Sequence, residues 1–384
     1  MRISAWTSSR RDGWIHLSAR LQWEETERTE TLWFEWPESN AAFVRPTADS
    51  ALLLAYPLAM SYGERRLVVD GEVSPRLAEG ARAVMAVIAS AGPTLRAVRL
   101  ELHEGFGDFE SEAPSRAAGL CLSGGVDALS ALQDRVHGLP RDHAARFRCG
   151  LFAFGFNTYD FVNGAPDPAR LTAAEAYADR LDSLAAELGV TLTRVRTNYR
   201  TLHRSFDAWG MVANDSHLAA IGHLMRPRLR SLAIGSLGTG ITAGTSQNPL
   251  LVAFHSTDDL DVHTAHPMRS RLEKLRVLLT WPEALAVLRV CFLIRTPGGG
   301  ARNCGECEKC VRTVLQCIAL GAADAAPVRA AFTVWPDTPE AIARLDVGSS
   351  FVRPYYEELE PLLRSRGRVD LATAISRGLV GGRR

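Results

Sequence analysis

Lysine is nearly missing from this chain: of 44 basic residues only Lys274 and Lys309 are lysines, and the rest are arginines. A GC-rich coding bias produces such a ratio. It still singles out the two survivors, because a guanidinium cannot everywhere replace a compact ammonium. Excess charge of one sign is missing too. A net charge of +1 over 384 residues gives no overall field to draw the chain onto nucleic acid or an anionic membrane, which leaves only a local basic groove for such a role. No apolar run reaches the roughly 18 residues that a membrane span needs, and residues 1–14 lack the apolar stretch of a secretion signal. The expectation is a cytoplasmic protein without membrane contact. Cysteines are few and odd in number, seven, with three of them inside seven residues. That distribution excludes a disulfide framework and fits a metal site in a reducing compartment. Internal repeats are absent as well.

What is present is apolar material in quantity. A hydrophobic fraction of 46% suffices to bury a sizeable core, and the length predicts two domains or one large domain with additions. Residues 15–23 and 31–36 alternate apolar and polar side chains, as half-buried strands do. Residues 48–60 and 75–89 read as helices, the second opened by Ser74-Pro75. Trp6, Trp14, Trp23, Trp33 and Trp36 cluster in the same region, where core packing is the commoner fate of tryptophan and an interface the rarer one. We expect a small α+β domain over 1–115, a candidate surface for a protein partner, with 110–116 as a linker.

From residue 117 strands and helices alternate: strands at 119–123, 148–156, 191–196 and 231–235, and helices at 126–136, 172–188 and 213–225. This predicts an α/β fold with a parallel sheet and helices on both faces, and ligands in such sheets bind beyond the carboxyl ends of the strands. Further helices are expected at 269–279 and 306–319. A helical extension should fill 321–384, with 378–384 frayed.

Two motifs carry chemistry. Leu120-Cys121-Leu122 leads directly into Ser123-Gly124-Gly125-Val126-Asp127-Ala128, a strand that turns on two glycines and opens a helix. Glycines let the backbone approach an anion, and the free N–H groups of a helix start point at it. Asp127 falls in the first helical turn, where a carboxylate is stabilised by the dipole or can hold Mg²⁺. The alternative is an ordinary strand-to-helix turn. The second motif is Cys304-x2-Cys307-x2-Cys310, with Cys291 thirteen residues upstream as the fourth ligand. Four thiolates suit tetrahedral zinc in a structural role, since no position is left for water or substrate. An iron–sulfur cluster is the competing reading. Cys121, Cys149 and Cys317 read as buried core thiols.

The Ser123–Asp127 sequence resembles the PP-loop of the ATP pyrophosphatases, whose usual form is Ser-Gly-Gly-X-Asp-Ser; Ala128 stands where that form has its last serine. With the cysteine run downstream, residues 120–320 resemble the 7-cyano-7-deazaguanine synthase family. His266-Pro267-Met268-Arg269-Ser270-Arg271-Leu272-Glu273-Lys274 looks like its Pro-Leu…Lys-x-Glu segment, and Val290-Cys291-Phe292 like its Ser-Cys-Tyr. The resemblance implies a Rossmann-like PP-loop domain over 116–320. It implies ATP and Mg²⁺ as cofactors, zinc on Cys291, Cys304, Cys307 and Cys310, and pyrophosphate on Ser123, Gly124, Gly125, Val126 and Asp127. It further implies adenylation of a small carboxylate, a deazapurine among the candidates, followed by C–N bond formation. Asp127 and Lys274 then become the candidate catalytic residues, Lys274 beside the α-phosphate; without the resemblance, Lys274 reads as a solvated lysine paired with Glu273. This chain departs from the family in its N-terminal 115 residues and in a longer 291–304 loop.

Weaker signals are the glycine-rich 235–240 stretch, the carboxylates Asp258, Asp259 and Asp261, His266 beside the matched segment, and the basic run 226–230, which reads as a surface loop. The competing functions are nucleobase thiolation in tRNA, for which Cys149 is the spare thiol, and a nucleotide-binding module without turnover. Near-zero net charge argues against nucleic acid as a partner, and a homodimer is left open.

Overall fold

Strand alternation is plainest in the first two long strands. In Trp14–Gln22 and Thr29–Pro37, Ile15, Leu17, Ala19 and Leu21 on one and Leu32, Phe34 and Trp36 on the other are buried, while their neighbours lie nearer solvent. The period of two sends one set of side chains into the core and the other away from it. The computed structural model describes residues 1–91, 94–107, 116–156, 160–162, 165–236, 245, 247–291 and 302–381. Most of the expected linker, residues 110–115, lies outside them.

The strands are β1 Arg2–Ile3, β2 Thr7–Arg11, β3 Trp14–Gln22, β4 Thr29–Pro37, β5 Arg66–Val69, β6 Arg99–Leu102, β7 Ala117–Cys121 and β8 Phe147–Phe154. They continue with β9 Phe161–Val162, β10 Ala165–Pro166, β11 Thr191–Thr197, β12 Leu229–Gly235 and β13 Asp261–Ala265. Apart from the β9–β10 pair, all join one eleven-stranded sheet in the order β13-β12-β7-β8-β11-β4-β3-β1-β5-β6, with β2 on β3. The pairs from β13 to β11 are parallel, as are β1–β5 and β5–β6.

The N-terminal strands therefore form no sheet of their own. β11 pairs antiparallel with β4, Arg196 opposite Glu35 and Thr197 opposite Phe34. Just past β11, the Asn198 side chain prolongs the seam: its Oδ1 accepts from Trp33 N (2.9 Å) and its Nδ2 donates to Thr31 O (2.8 Å). Tyr199 then donates to Leu54 O at 2.8 Å. The content of the N-terminal segment is α+β, as its pattern predicts; the continuity of its sheet with the rest is a product of pairing between distant residues.

The helices are α1 Ala48–Tyr62, α2 Pro75–Ser90, α3 Val126–Gly138, α4 Pro168–Glu187, α5 Phe206–Val212, α6 Asn214–Leu224 and α7 Pro249–Val252. After them come α8 Arg271–Leu278, α9 Pro282–Ala286, α10 Glu308–Ala319, α11 Ala326–Ala330, α12 Pro339–Ala343, α13 Arg353–Ser365 and α14 Val369–Gly381. Residues 378–381, expected to fray, belong to α14. None of the described helices is long and apolar enough to cross a membrane.

Two cores flank the sheet. One collects α1, α2 and α6 through residues such as Leu52, Leu77 and Ile221. The other collects α3, α4, α8, α10, α13 and α14 through Leu129, Leu181, Leu275, Val314, Leu359 and Leu371. β7 divides its side chains between them, Cys121 to the first and Ala118 and Leu120 to the second. Burial on both faces is why this strand reads as a short continuous apolar run. Trp23 and Trp36 are core residues.

Within the parallel part, chain connectivity runs outward from β7 in both directions: β8 and β11 lie on one side, β12 and β13 on the other. The carboxyl end of β7, beside that of β12, is thus a topological switch point, where open α/β sheets leave a crevice.

Candidate functional site

The glycine loop sits at this switch point. β7 ends at Cys121, and α3 starts at Val126 with Gly125 as an N-cap that carries no side-chain hydrogen bond. Gly124 has φ +72°, and a Cβ on it would run into the Tyr177 hydroxyl. Both facts require glycine. Val126 and Ala128 are buried in the core, so Val126 can offer a ligand only its backbone. Ser123 is exposed.

Asp127, in the first turn of α3, gathers cations from a distant helix. Arg271 Nη1 donates to its Oδ2 at 2.6 Å, and Lys274 Nζ lies 3.4 Å from its Oδ1. Lys274 also donates to Ser236 O at 2.7 Å, at the end of β12. The placement begins locally. Ser270 and Glu273 form a capping box at the start of α8, Glu273 Oε2 accepting from Ser270 N at 2.7 Å. This fixes the first turn, which carries Arg271, and Lys274 follows three residues later on the same side of the helix. With Glu273 so engaged, the solvated Lys274–Glu273 pair does not form, and the Lys274 side chain is fully buried.

Burial alone would raise the Asp127 carboxyl; Arg271 and Lys274 more than offset it and hold it below its ordinary value. Burial lowers Lys274 despite the Asp127 charge. Lys309, on α10, is lowered to about 7 by burial and by the Arg271 and Arg312 guanidiniums. Two close cations, Arg271 and Lys274, thus meet a single anion.

The four cysteines converge as expected. The sulfurs of Cys291, Cys304, Cys307 and Cys310 all lie within 4.8 Å of one another. The Cys304–Cys310 and Cys291–Cys307 separations are 3.8 Å and Cys307–Cys310 is 3.4 Å. Metal–sulfur bonds near 2.3 Å in a tetrahedron put thiolates about 3.8 Å apart, so the set could hold a single ion such as zinc. The N–H groups of Glu306 and Cys307 each point at Cys304 Sγ from 3.3 Å. Neighbouring thiols, foremost Cys291, together with the Glu306 N–H hold the Cys304 thiol far down. Gly305 makes the turn, with φ +76°, where a Cβ would meet Val334 O.

The loop and the cysteines are joined by residues that sequence reasoning missed. Arg289 N donates to Gly124 O at 2.8 Å. Tyr177 Oη donates to Val287 O at 2.6 Å and lies 3.4 Å from Ser123 O. Asn303 Oδ1 accepts from Val290 N and Cys291 N, at 2.8 and 3.1 Å. Its Nδ2 donates to Leu288 O and Ala331 O, at 2.9 and 3.0 Å. Nothing short of the folded chain signals these contacts, which link positions 54 to 165 residues apart in the first two cases and close the cysteine loop in the third.

The weaker signals resolve differently. Arg226 is not on a surface loop: it is buried and pairs with Asp49 and Asp259. Asp259 also meets Arg116 at 3.1 Å, so it is part of a buried network and not a solvated turn. Asp258 is exposed, and Asp261 pairs with His263 at 3.0 Å. His266 lies 3.2 Å from Asp134 in a left-handed conformation, φ +51°. Residues 237–240 of the glycine-rich stretch, Phe292 and most of the 291–304 loop, residues 292–301, lie outside the described residues. Cys121, Cys149 and Cys317 are buried, as expected of core thiols. No family model, curated protein or solved structure matches this chain.

Proposed function

We propose that the crevice at the end of β7 binds the phosphates of ATP, and that the protein adenylates a small carboxylate and forms a C–N bond at it. The observation that carries this reading is the pair of cations on Asp127: buried Lys274 and Arg271 face one carboxylate beside a glycine turn and an uncapped helix start. A surplus of buried positive charge favours an anionic ligand, and a helix N-terminus with free N–H groups favours phosphate. A deazapurine carboxylate is the acceptor that the resemblance to the 7-cyano-7-deazaguanine synthase family suggests, and ATP with Mg²⁺ the donor.

In this reading Gly124, Gly125 and Val126 offer backbone, Ser123 a hydroxyl, and Lys274 and Arg271 neutralise charge that develops as pyrophosphate leaves. Asp127 aligns the two cations. Both of its oxygens accept from a cation, so a Mg²⁺ ion at Asp127 would compete with Arg271 and Lys274 for the carboxylate. The cysteine cluster is read as structural zinc. Thiolates this close suit one ion, whereas a multi-iron cluster, with sulfide between its irons, holds its cysteines farther apart.

Thiolation gains no support: it needs a reactive cysteine, while Cys149 is fully buried and its thiol is raised by that burial. The test is release of AMP and pyrophosphate from ATP and Mg²⁺ in the presence of 7-carboxy-7-deazaguanine and ammonia, then with other small carboxylates. Acceptor-dependent release that Asp127→Ala abolishes supports the reading. ATP binding without release from any acceptor would leave the chain a nucleotide-binding module.

A further inference from the structure

The segment 287–291 touches both centres. Its first residue accepts from Tyr177, which also contacts Ser123; its third donates to Gly124; its last is a cysteine of the cluster. Between these points it is clamped, because the one Asn303 side chain makes hydrogen bonds to Leu288, Val290 and Cys291 and to Ala331 on the far side. Asn303 is buried and immediately precedes Cys304. Every polar group of its amide is matched, so it has little freedom to adopt a second arrangement.

We infer that Asn303 is a positioning residue, and that 287–291 is a strut through which metal on the four cysteines sets the shape of the 123–127 loop. Metal pulls Cys291 toward Cys304, Cys307 and Cys310. Asn303 carries that constraint along the backbone to Val287 and Arg289. Arg289 N then fixes the carbonyl of Gly124, and the Tyr177 hydroxyl, held on Val287 O, abuts Gly124, which orients the N–H groups of the loop. Without metal, Cys291 is released, the strut loosens, and the loop loses its preset geometry. α10 supplies a parallel path: it starts at Cys307, carries Cys310 in its first turn, and packs against α8, the helix of Arg271 and Lys274. A site described as structural zinc thereby becomes a determinant of anion affinity. The inference rests on the loop being a phosphate site.

Coupling of this kind is reciprocal, because two ligands that share one set of states change each other's affinity by the same factor. The experiment uses inorganic pyrophosphate as probe and the full chain loaded with zinc or cobalt. Pyrophosphate affinity is measured by calorimetry on the loaded protein and after chelation, with circular dichroism to confirm that the chelated protein stays folded. Zinc transfer to a chromophoric chelator is then followed on loaded protein with and without pyrophosphate, an arm that needs no metal-free state. We expect at least ten-fold weaker pyrophosphate binding without metal and at least ten-fold tighter metal retention with pyrophosphate. Asn303→Ser should keep the cobalt–thiolate spectrum of four cysteines yet shrink both factors toward one. Tight pyrophosphate binding with no effect on metal retention would overturn the strut and leave the phosphate site standing. No pyrophosphate binding to loaded protein would overturn the phosphate site and the strut with it.

Discussion

Lys274 reaches Asp127 across 147 positions of sequence, with 3.4 Å between its Nζ and the carboxylate Oδ1. The ammonium is buried, shared between that oxygen and the carbonyl of Ser236, with no solvent around its stem. Lys274→Ala should weaken ATP binding by roughly ten- to a hundred-fold, the worth of one charge-assisted hydrogen bond. Lys274→Arg should not rescue it, because the larger planar group does not fit the same enclosure. Calorimetric titration with ATP decides; wild-type affinity in the alanine variant would remove Lys274 from the site.

Gly124→Ala tests the turn. The residue has φ +72°, and the new methyl would strike the Tyr177 hydroxyl. A left-handed non-glycine residue costs about 1–2 kcal/mol, and the clash adds to that. We expect a lower Tm and lost pyrophosphate binding. Tyr177→Phe, added to remove the hydroxyl, should restore stability only in part, because the backbone strain remains.

Arg226 lies between Asp49 and Asp259, all three largely buried. Desolvation raises the Asp49 carboxyl, and the arginine works against that. Arg226→Met would strand the buried Asp49 and leave Asp259 to Arg116 alone, and should cost about 3–5 kcal/mol. Denaturant titration measures it. A loss under about 1 kcal/mol would mean that solvent reaches the network.

Acid should destabilise the fold well before most carboxylates protonate. His203, His223 and His255 are pushed down to about 3 by burial, and His217 well below its ordinary 6.5. Unfolded, each takes a proton near 6.5, so the unfolded state binds more protons below that pH and stability falls from about 6.5 toward 3. Asp215 acts oppositely. Burial raises it to about 7, so its contribution is full below its ordinary value and is lost as pH rises through about 7. Four rings against one carboxyl leave roughly three net protons, or about 4 kcal/mol per pH unit at the steepest point. Denaturant midpoints between pH 7.5 and 5.5 should fall accordingly; a flat profile would contradict the burial of these rings.

Metal analysis of purified protein should give one zinc per chain. Its removal should cost about 5 kcal/mol or more and lower the Tm by about 6 °C or more, as read by scanning calorimetry. Iron in place of zinc would overturn the assignment.

The parts of the site legible in sequence are those written in adjacent residues. Ser123–Asp127 announces itself through two glycines between an apolar strand and a helix, and the cysteine run through its spacing. Lys274 stands out by the scarcity of lysine, but only the family resemblance gives it a role, since its local pattern suits a solvated helix face better. Arg271, Tyr177, Arg289 and Asn303 carried no signal, because each acts on a backbone or carboxylate that the fold alone brings near. Most strand and helix positions followed from periodicity. The union of β4 with β11 did not, as the two strands lie more than 150 residues apart and no turn connects them. Arg226 misled for a related reason: an arginine between a helix and a strand is usually solvated, and only the remote Asp49 makes it otherwise.

The seam at Glu35–Arg196 and Phe34–Thr197 has one more implication. A polypeptide begun at Arg116 would keep the glycine turn, the cations and all four cysteines. It would also carry β11 with one side stripped of its partner, above the bare faces of Tyr199 and α6. Unpaired strand edges recruit other chains. Such a fragment should precipitate or self-associate although every residue of the crevice is intact, and supplying residues 1–107 in trans should return it to solution.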